Sequence, residues 1–250
     1  MVHFVGAGSG AVDLITVRGQ NLLREADVII YAGSLVNQEL LEVRKEDCKV
    51  YNSAFMTLEQ VIGEVKKAEE AELTTVRLHT GDPSIYGAIR EQMDCLDQLE
   101  IAYDYCPGVS SFCGAASALN LEYTLPDVSQ TVILTRMEGR TSVPEKEKIE
   151  SLASHQATMV IFLSTGMLDE LSKRLIDGGY QEDTPAAIVY KATWPDEKKF
   201  VCTVKTLEKT ARENQITKTA LIIVGNVLAC EYRRSDLYHP NFETEFRKAD

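Results

Sequence analysis

Val2-His3-Phe4-Val5-Gly6-Ala7-Gly8-Ser9-Gly10 is a short apolar run that breaks directly into three glycines. Followed by the amphipathic stretch Leu14 to Arg24, it reads as a strand, a tight turn and a helix. The unit recurs downstream. Apolar runs at Val28 to Tyr31, Val76 to His79 and Ile101 to Tyr105 alternate with helical candidates at Thr57 to Ala71 and Tyr86 to Leu99. Leu58, Val61, Ile62 and Val65 recur at spacings that place them on one helix face. This alternation predicts an α/β protein built on mostly parallel sheets.

The rhythm pauses from Leu119 to Asp127, where Pro126 interrupts it, and a second set of strands follows: Thr131 to Thr135, Thr158 to Leu163, Ala186 to Tyr190, Phe200 to Val204 and Ala220 to Val224. Helices are expected among them at Glu145 to Ser154 and Leu168 to Gly178. The reading is two α/β domains, 1–122 and 123–250. Charge-rich pieces such as Glu42 to Lys49 and Lys66 to Glu72 read as solvated surface.

With 44% hydrophobic residues in 250, the chain can fill real cores, so disorder is not expected. A net charge of -12 argues against a nucleic-acid surface, which needs a basic face. Cys48, Cys95, Cys106, Cys113, Cys202 and Cys230 form no Cys-x-x-Cys pair and read as reduced core residues. His3, His155 and His239 show no metal-ligand spacing, and no metal site is expected. The start of the chain has neither a basic leader nor a long apolar stretch, and Ala220 to Cys230 is too short to span a bilayer. A cytoplasmic protein without membrane contact is expected.

Three loops carry the functional signal. Gly6-Ala7-Gly8-Ser9-Gly10 matches a generic dinucleotide fingerprint, but the acidic residue that should end the second strand is missing: Asp27 begins that strand and Tyr31-Ala32-Gly33 ends it. His79-Thr80-Gly81-Asp82-Pro83-Ser84-Ile85-Tyr86-Gly87 follows the third apolar run. Gly81 permits close backbone approach there, and Asp82 is either a ligand carboxylate or a helix cap. Such a carboxylate should matter more to a ligand than to folding. Cys106-Pro107-Gly108-Val109-Ser110-Ser111 closes the set, with Ser110 or Ser111 able to cap the next helix or bond a ligand.

The order Gly-Ala-Gly-x-Gly, Thr-Gly-Asp-Pro-x-x-Tyr-Gly, Pro-Gly-Val-Ser-Ser resembles the tetrapyrrole methylase family, and the likeness runs almost end to end. Gln130 to Thr141 and Tyr190 to Glu197 resemble the segments of the branch that methylates carbon 11 of precorrin-4 or cobalt-precorrin-4. The resemblance implies two α/β domains with a cofactor cleft between them, S-adenosylmethionine as methyl donor, S-adenosylhomocysteine as its product, and a homodimer. It implies cofactor contacts at Thr80, Gly81, Asp82, Ile85, Ser110, Ser111, Leu163, Ala192 and Ala220. The first loop departs from the pattern. Many relatives read Gly-x-Gly-Asp-Pro where this chain has Ser9-Gly10-Ala11-Val12 with a later Asp13, and the aspartate some relatives carry near Gly33 is absent.

Methyl transfer to an electron-rich ring carbon depends on alignment and exclusion of water, so no covalent catalyst is assigned. A substrate with several carboxylates needs local cations on an acidic protein. Arg136 and Arg140 are the candidates, with Lys191 a weaker one. His79 is either a proton carrier or a hydrogen-bonded strand-end residue. Tyr190 and Trp194 either stack on the macrocycle or pack an interdomain hinge. The alternatives are another corrin-ring methyltransferase, a nicotinamide-dependent oxidoreductase, or a nucleotide-sensing module.

Overall fold

The computed structural model describes residues 1–229, 231–235, 237 and 239–248. The chain divides into two compact units: Met1–Ala115 together with Lys191–Glu197, and Ala116–Tyr190 together with the chain from Lys198 onward.

In the first unit, strands β1 (Val2–Gly6), β2 (Val28–Tyr31), β3 (Lys49–Asn52), β4 (Thr75–His79) and β5 (Tyr103–Cys106) are joined by helices α1 (Val17–Glu25), α2 (Leu58–Glu70) and α3 (Arg90–Gln98). α4 (Ser111–Leu119) leaves the sheet after β5. The order β3-β2-β4-β1-β5 is parallel throughout. Successive strand residues face opposite sides, so Val5, Ile29 and Leu78 pack with Leu23 on one face, while Phe4 and Ile30 pack with Val65 and Leu96 on the other. α2 is fixed at its start by a capping box in which Thr57 accepts from the Gln60 amide and Gln60 accepts from the Thr57 amide. α1 starts later than expected because Thr16 caps it, accepting from the Gly19 amide at 3.0 Å. α3 likewise begins at Arg90 rather than Tyr86, since Tyr86 and Ala88 have positive φ.

The second unit holds β6 (Val132–Arg136), α5 (Ile149–Ala153), β7 (Thr158–Phe162), α6 (Leu168–Asp177), β8 (Pro185–Tyr190), β9 (Lys198–Thr203), α7 (Leu207–Glu213) and β10 (Ala220–Val224). Its sheet runs β6-β7-β10-β8-β9. Only β6 and β7 are parallel; the other three pairings are antiparallel. The expectation of mostly parallel sheets therefore fails here, because β8 and β9 are joined by residues 191–197 without a helical crossover. Leu171 and Leu175 of α6 are fully buried in one cluster with Met159, Ile161, Ile188 and Ile222.

Among the described residues no helix is long and apolar enough to cross a membrane. Cys48, Cys95, Cys106, Cys113 and Cys202 are free thiols, but only Cys106 is buried and Cys113 is exposed, which corrects the reading of all of them as core. Cys230 lies outside the described residues.

Candidate functional site

The sheet order makes β4, β1 and β5 neighbours, so the three glycine loops leave from adjacent strands at one C-terminal edge. In open parallel sheets that edge is where ligands gather. The loops are in contact. A Cβ on Gly6 would lie 2.6 Å from both Gly108 and the Gly81 carbonyl, and one on Gly108 would lie 2.2 Å from that same oxygen. The Gly8 and Gly81 backbones bridge the first two loops, with N···O distances of 3.3 and 2.8 Å. Gly81, with φ at +59°, lies against Ser110 and Ser111, whose backbone opens α4. Thr80, Gly81, Asp82 and Ile85 thus share one edge with Ser110 and Ser111.

Asp82 neither points out as a free ligand carboxylate nor caps a helix. Its Oδ1 accepts from the Ser84 amide at 2.9 Å, the Ser84 hydroxyl and the Tyr105 hydroxyl, and its Oδ2 accepts from the Gly108 amide at 2.9 Å. The side chain ties the second loop to the third. Burial works to raise this carboxyl, but the bonds from Ser84, Tyr105 and Gly108 outweigh it and hold the group below its ordinary value. Tyr105 was not among the expected site residues; in sequence it is one more aromatic in a strand.

The first glycine loop is covered by its own chain. The Thr193 hydroxyl bonds Ser9 Oγ at 3.0 Å and accepts from the Ala11 amide at 3.1 Å, and Asn37 Nδ2 donates to the Gly10 carbonyl. The Trp194 ring packs so closely that a Cβ on Gly10 would be 2.1 Å from it. Asp27 is committed at the far end of β2, where it accepts from Lys45 Nζ at 2.7 Å and from the Thr74 amide at 2.9 Å. Both findings count against a nicotinamide cofactor.

The remaining candidates fall as follows. Ala192 and Lys191, expected in the second domain, lie in the segment that belongs to the first unit. Ala192 is buried, and the Lys191 ammonium pairs with Asp196 at 2.6 Å and lies 5.4 Å from the Trp194 ring centroid. Leu163 and Ala220 belong to the second unit. Leu163 directly follows β7 with φ at +53° and is 65% exposed, an apolar side chain held outward on a strained backbone. Ala220 opens β10, where its carbonyl accepts from Thr165 Oγ1. Arg136 staples its own loop: Nη1 donates to the Met137 and Thr141 carbonyls at 3.1 and 3.2 Å, and Nη2 to Ser142 at 2.8 Å. A guanidinium has five N–H donors, and these bonds engage three of them. Arg140, in the same loop, is exposed.

His79 is buried, and its Nε2 has no hydrogen-bond partner among the described residues. Burial first, and the Arg77 charge second, push its imidazole down to about 3. It stays neutral near physiological pH, and it is not held at the strand end by a bond through Nε2. Trp194 is committed to Gly10, which favours packing over stacking on a macrocycle.

A parallel sheet whose adjacent strands β4, β1 and β5 deliver glycine loops to one edge, with the first loop covered by Thr193 and Trp194, defines an α/β protein with the geometry of a small-ligand site. The chain belongs to the tetrapyrrole (corrin/porphyrin) methylases, whose family model matches residues 1–208. It is 54% identical to the cobalt-precorrin-4 C(11)-methyltransferase of Methanocaldococcus jannaschii over 99% of this chain and 96% of that protein. It is 42% identical to the precorrin-4 C(11)-methyltransferase of Pseudomonas aeruginosa over 100% of this chain and 99% of that one. Among solved structures, the X-ray structure of a cobalt precorrin-4 methyltransferase, a cobalamin biosynthetic enzyme, matches with a TM-score of 0.89 at 47% identity, covering 92% of this chain and 96% of that chain.

Proposed function

We propose that this chain is an S-adenosylmethionine-dependent C-methyltransferase that methylates carbon 11 of precorrin-4 or cobalt-precorrin-4. The observation that carries the reading is the 54% identity to an enzyme of that name across nearly the whole of both chains. The proposed cofactor contacts are Thr80, Gly81, Asp82, Ile85, Ser110, Ser111, Leu163, Ala192 and Ala220. Small and apolar residues dominate this set, as suits a compactly bound nucleoside that needs shape and backbone contacts more than charge. S-adenosylmethionine supplies an electrophilic methyl group on a sulfonium. The loops hold the donor in line with the ring carbon and keep water away. The new C–C bond takes its electron pair from the macrocycle, the C–S bond breaks onto sulfur, and the macrocycle returns to neutrality by losing a proton. No side chain is assigned as that proton's acceptor. We also propose that the enzyme acts in the cytoplasm as a homodimer.

The deciding experiment incubates the chain with S-adenosylmethionine and each of the two corrin precursors, with mass spectrometry to detect the added methyl group and NMR to place it. Methylation at another ring carbon would move the chain to a sister activity, and no methylation of either precursor would sink the assignment. Calorimetry should show S-adenosylhomocysteine binding and no NAD binding. Tighter NAD binding would restore the oxidoreductase reading despite the covered first loop.

Arg136 and Arg140 are the proposed carboxylate contacts. Arg140→Ala should raise the apparent KM for the corrinoid about tenfold, as expected for loss of one charge-assisted hydrogen bond. S-adenosylhomocysteine affinity should hold. Arg136→Ala should do the same and also lower the melting temperature, because it releases three loop carbonyls. An unchanged KM in Arg140→Ala would remove that residue from the substrate site.

A further inference from the structure

Arg77 is an arginine on β4 that is 5% exposed. Among the described residues no carboxylate lies within ion-pairing distance of it, and burial, which pushes it down to about 10, is the only influence on its ionisation. It therefore remains a cation near neutrality, solvated by dipoles alone. Such a charge is costly to bury, so its contacts bear on what it is for.

Its contacts run to the end of β2, to the turn after β3 and, through Gln92 of α3, to the loop after β4. Nη1 donates to the Ile30 carbonyl at 2.8 Å, at the end of β2. Nη2 donates at 3.1 Å to the Ser53 hydroxyl, which in turn donates to the Tyr31 carbonyl, so the loop after β3 is sewn to the end of β2. Nε donates at 2.9 Å to Gln92 Oε1, and the Gln92 amide donates to the carbonyl of Ala88, a non-glycine residue held at φ +49° in the loop after β4. The loops that follow β2, β3 and β4 each present a large side chain to the outside: Leu35 is 43% exposed, Phe55 85% and Tyr86 46%. The first two loops are in contact, since a Cβ on Gly33 would lie 3.0 Å from the Ala54 Cβ.

We propose that Arg77 is a positioning residue for the corrinoid, bracing the end of β2, the turn after β3 and the loop after β4 so that Leu35, Phe55 and Tyr86 form an apolar seat for the macrocycle. The inference rests on the corrin-methylating reading above. Two features select this occupant. A large flat apolar ring with charged arms matches exposed apolar side chains beside a ligand edge, and an unneutralised buried cation at the base of the loops complements a ligand rich in carboxylates.

The test compares wild type with Phe55→Ser, Arg77→Lys and Arg77→Met as full-length proteins. The readouts are corrinoid KM and kcat, S-adenosylhomocysteine affinity by calorimetry, and melting temperature. Phe55→Ser should raise corrinoid KM about tenfold, with S-adenosylhomocysteine affinity and melting temperature close to wild type, because a mostly exposed ring does little for folding. Arg77→Met should raise KM more strongly. Arg77→Lys should recover only part of that loss, since an ammonium keeps the charge but lacks the planar fork that reaches three acceptors. If Arg77→Met does not fold, the other two variants decide. Wild-type KM in both Phe55→Ser and Arg77→Lys overturns the proposal while leaving the methyltransferase reading intact. An inactive wild type overturns the reading and the seat built on it.

Discussion

Replacing Gly108 by alanine should abolish most activity and destabilise the first unit, although only one methyl group is added. Its Cβ would lie 2.2 Å from the Gly81 carbonyl oxygen and 2.7 Å from Gly6 Cα, and both neighbours are backbone that cannot rotate away. Either the third loop lifts or β1 and β4 move apart. Overpacking of this kind costs about 1–3 kcal/mol. A cofactor edge displaced by even a fraction of its span should lose on the order of 100-fold in kcat. The control is Gly63→Ala in α2, where nothing lies within 4 Å of the added carbon. There the change should stabilise by up to about 1 kcal/mol, because alanine is the better helix former. Thermal unfolding and methyl-transfer assays on both variants check the pair. A Gly108→Ala enzyme with wild-type kcat would show that the three-glycine junction is mere close packing.

Much of this edge was legible in the sequence because its determinants are local. β2 and β10 match the apolar runs Val28 to Tyr31 and Ala220 to Val224 residue for residue, since both are buried along their whole length and carry no alternation to blur their ends. β3 went unread. It is an edge strand with Lys49 and Val50 exposed, so it has no apolar run and lies at the end of a stretch that looks like solvated surface. α7 was missed for a similar reason, as only Leu207 and Ala211 of its residues are buried. The antiparallel pairings of the second sheet have no local signature, because a buried strand shows the same β-branched run whichever way its neighbour points.

The site divides along the same line. That a glycine ends β1 and that glycines follow β4 and β5 is a local fact. That the loops touch depends on the strand order β4-β1-β5, which sequence spacing does not reveal. The cover over the first loop is more remote still, since Thr193 reaches Ser9 across 184 positions. A mismatch with the dinucleotide pattern was visible in the place of Asp27, but the physical obstacle, Trp194 against Gly10, was not. Arg77 gave no signal at all. A lone arginine inside an apolar strand reads as a register anomaly until its three acceptors are seen to belong to β2, the turn after β3 and α3.

Asp82→Ala should be costly for folding as well as for the cofactor, contrary to the reading of a loop carboxylate that matters mainly to a ligand. Removing the carboxylate leaves the Gly108 amide and the Tyr105 hydroxyl without their acceptor in a partly buried site, and each such loss is worth about 1–3 kcal/mol. The Ser84 donors are exposed and turn to water. We expect a destabilisation of about 2–4 kcal/mol and a loss of S-adenosylhomocysteine affinity, since the two loops are no longer joined. Asp82→Asn should fall between, because one amide oxygen serves either the Gly108 side or the Ser84 and Tyr105 side. The carboxyl is held below its ordinary value of 3.8 in the folded chain. Its contribution is therefore complete above that value and disappears as the pH falls through the lower, folded one. Chemical denaturation of wild type and Asp82→Asn across acid pH should show a stability gap that is constant near neutrality and closes at the acid end of the carboxylate range. A gap that stays the same width into that range would mean the Asp82 charge adds nothing to the junction, and that its shape alone holds the second loop to the third.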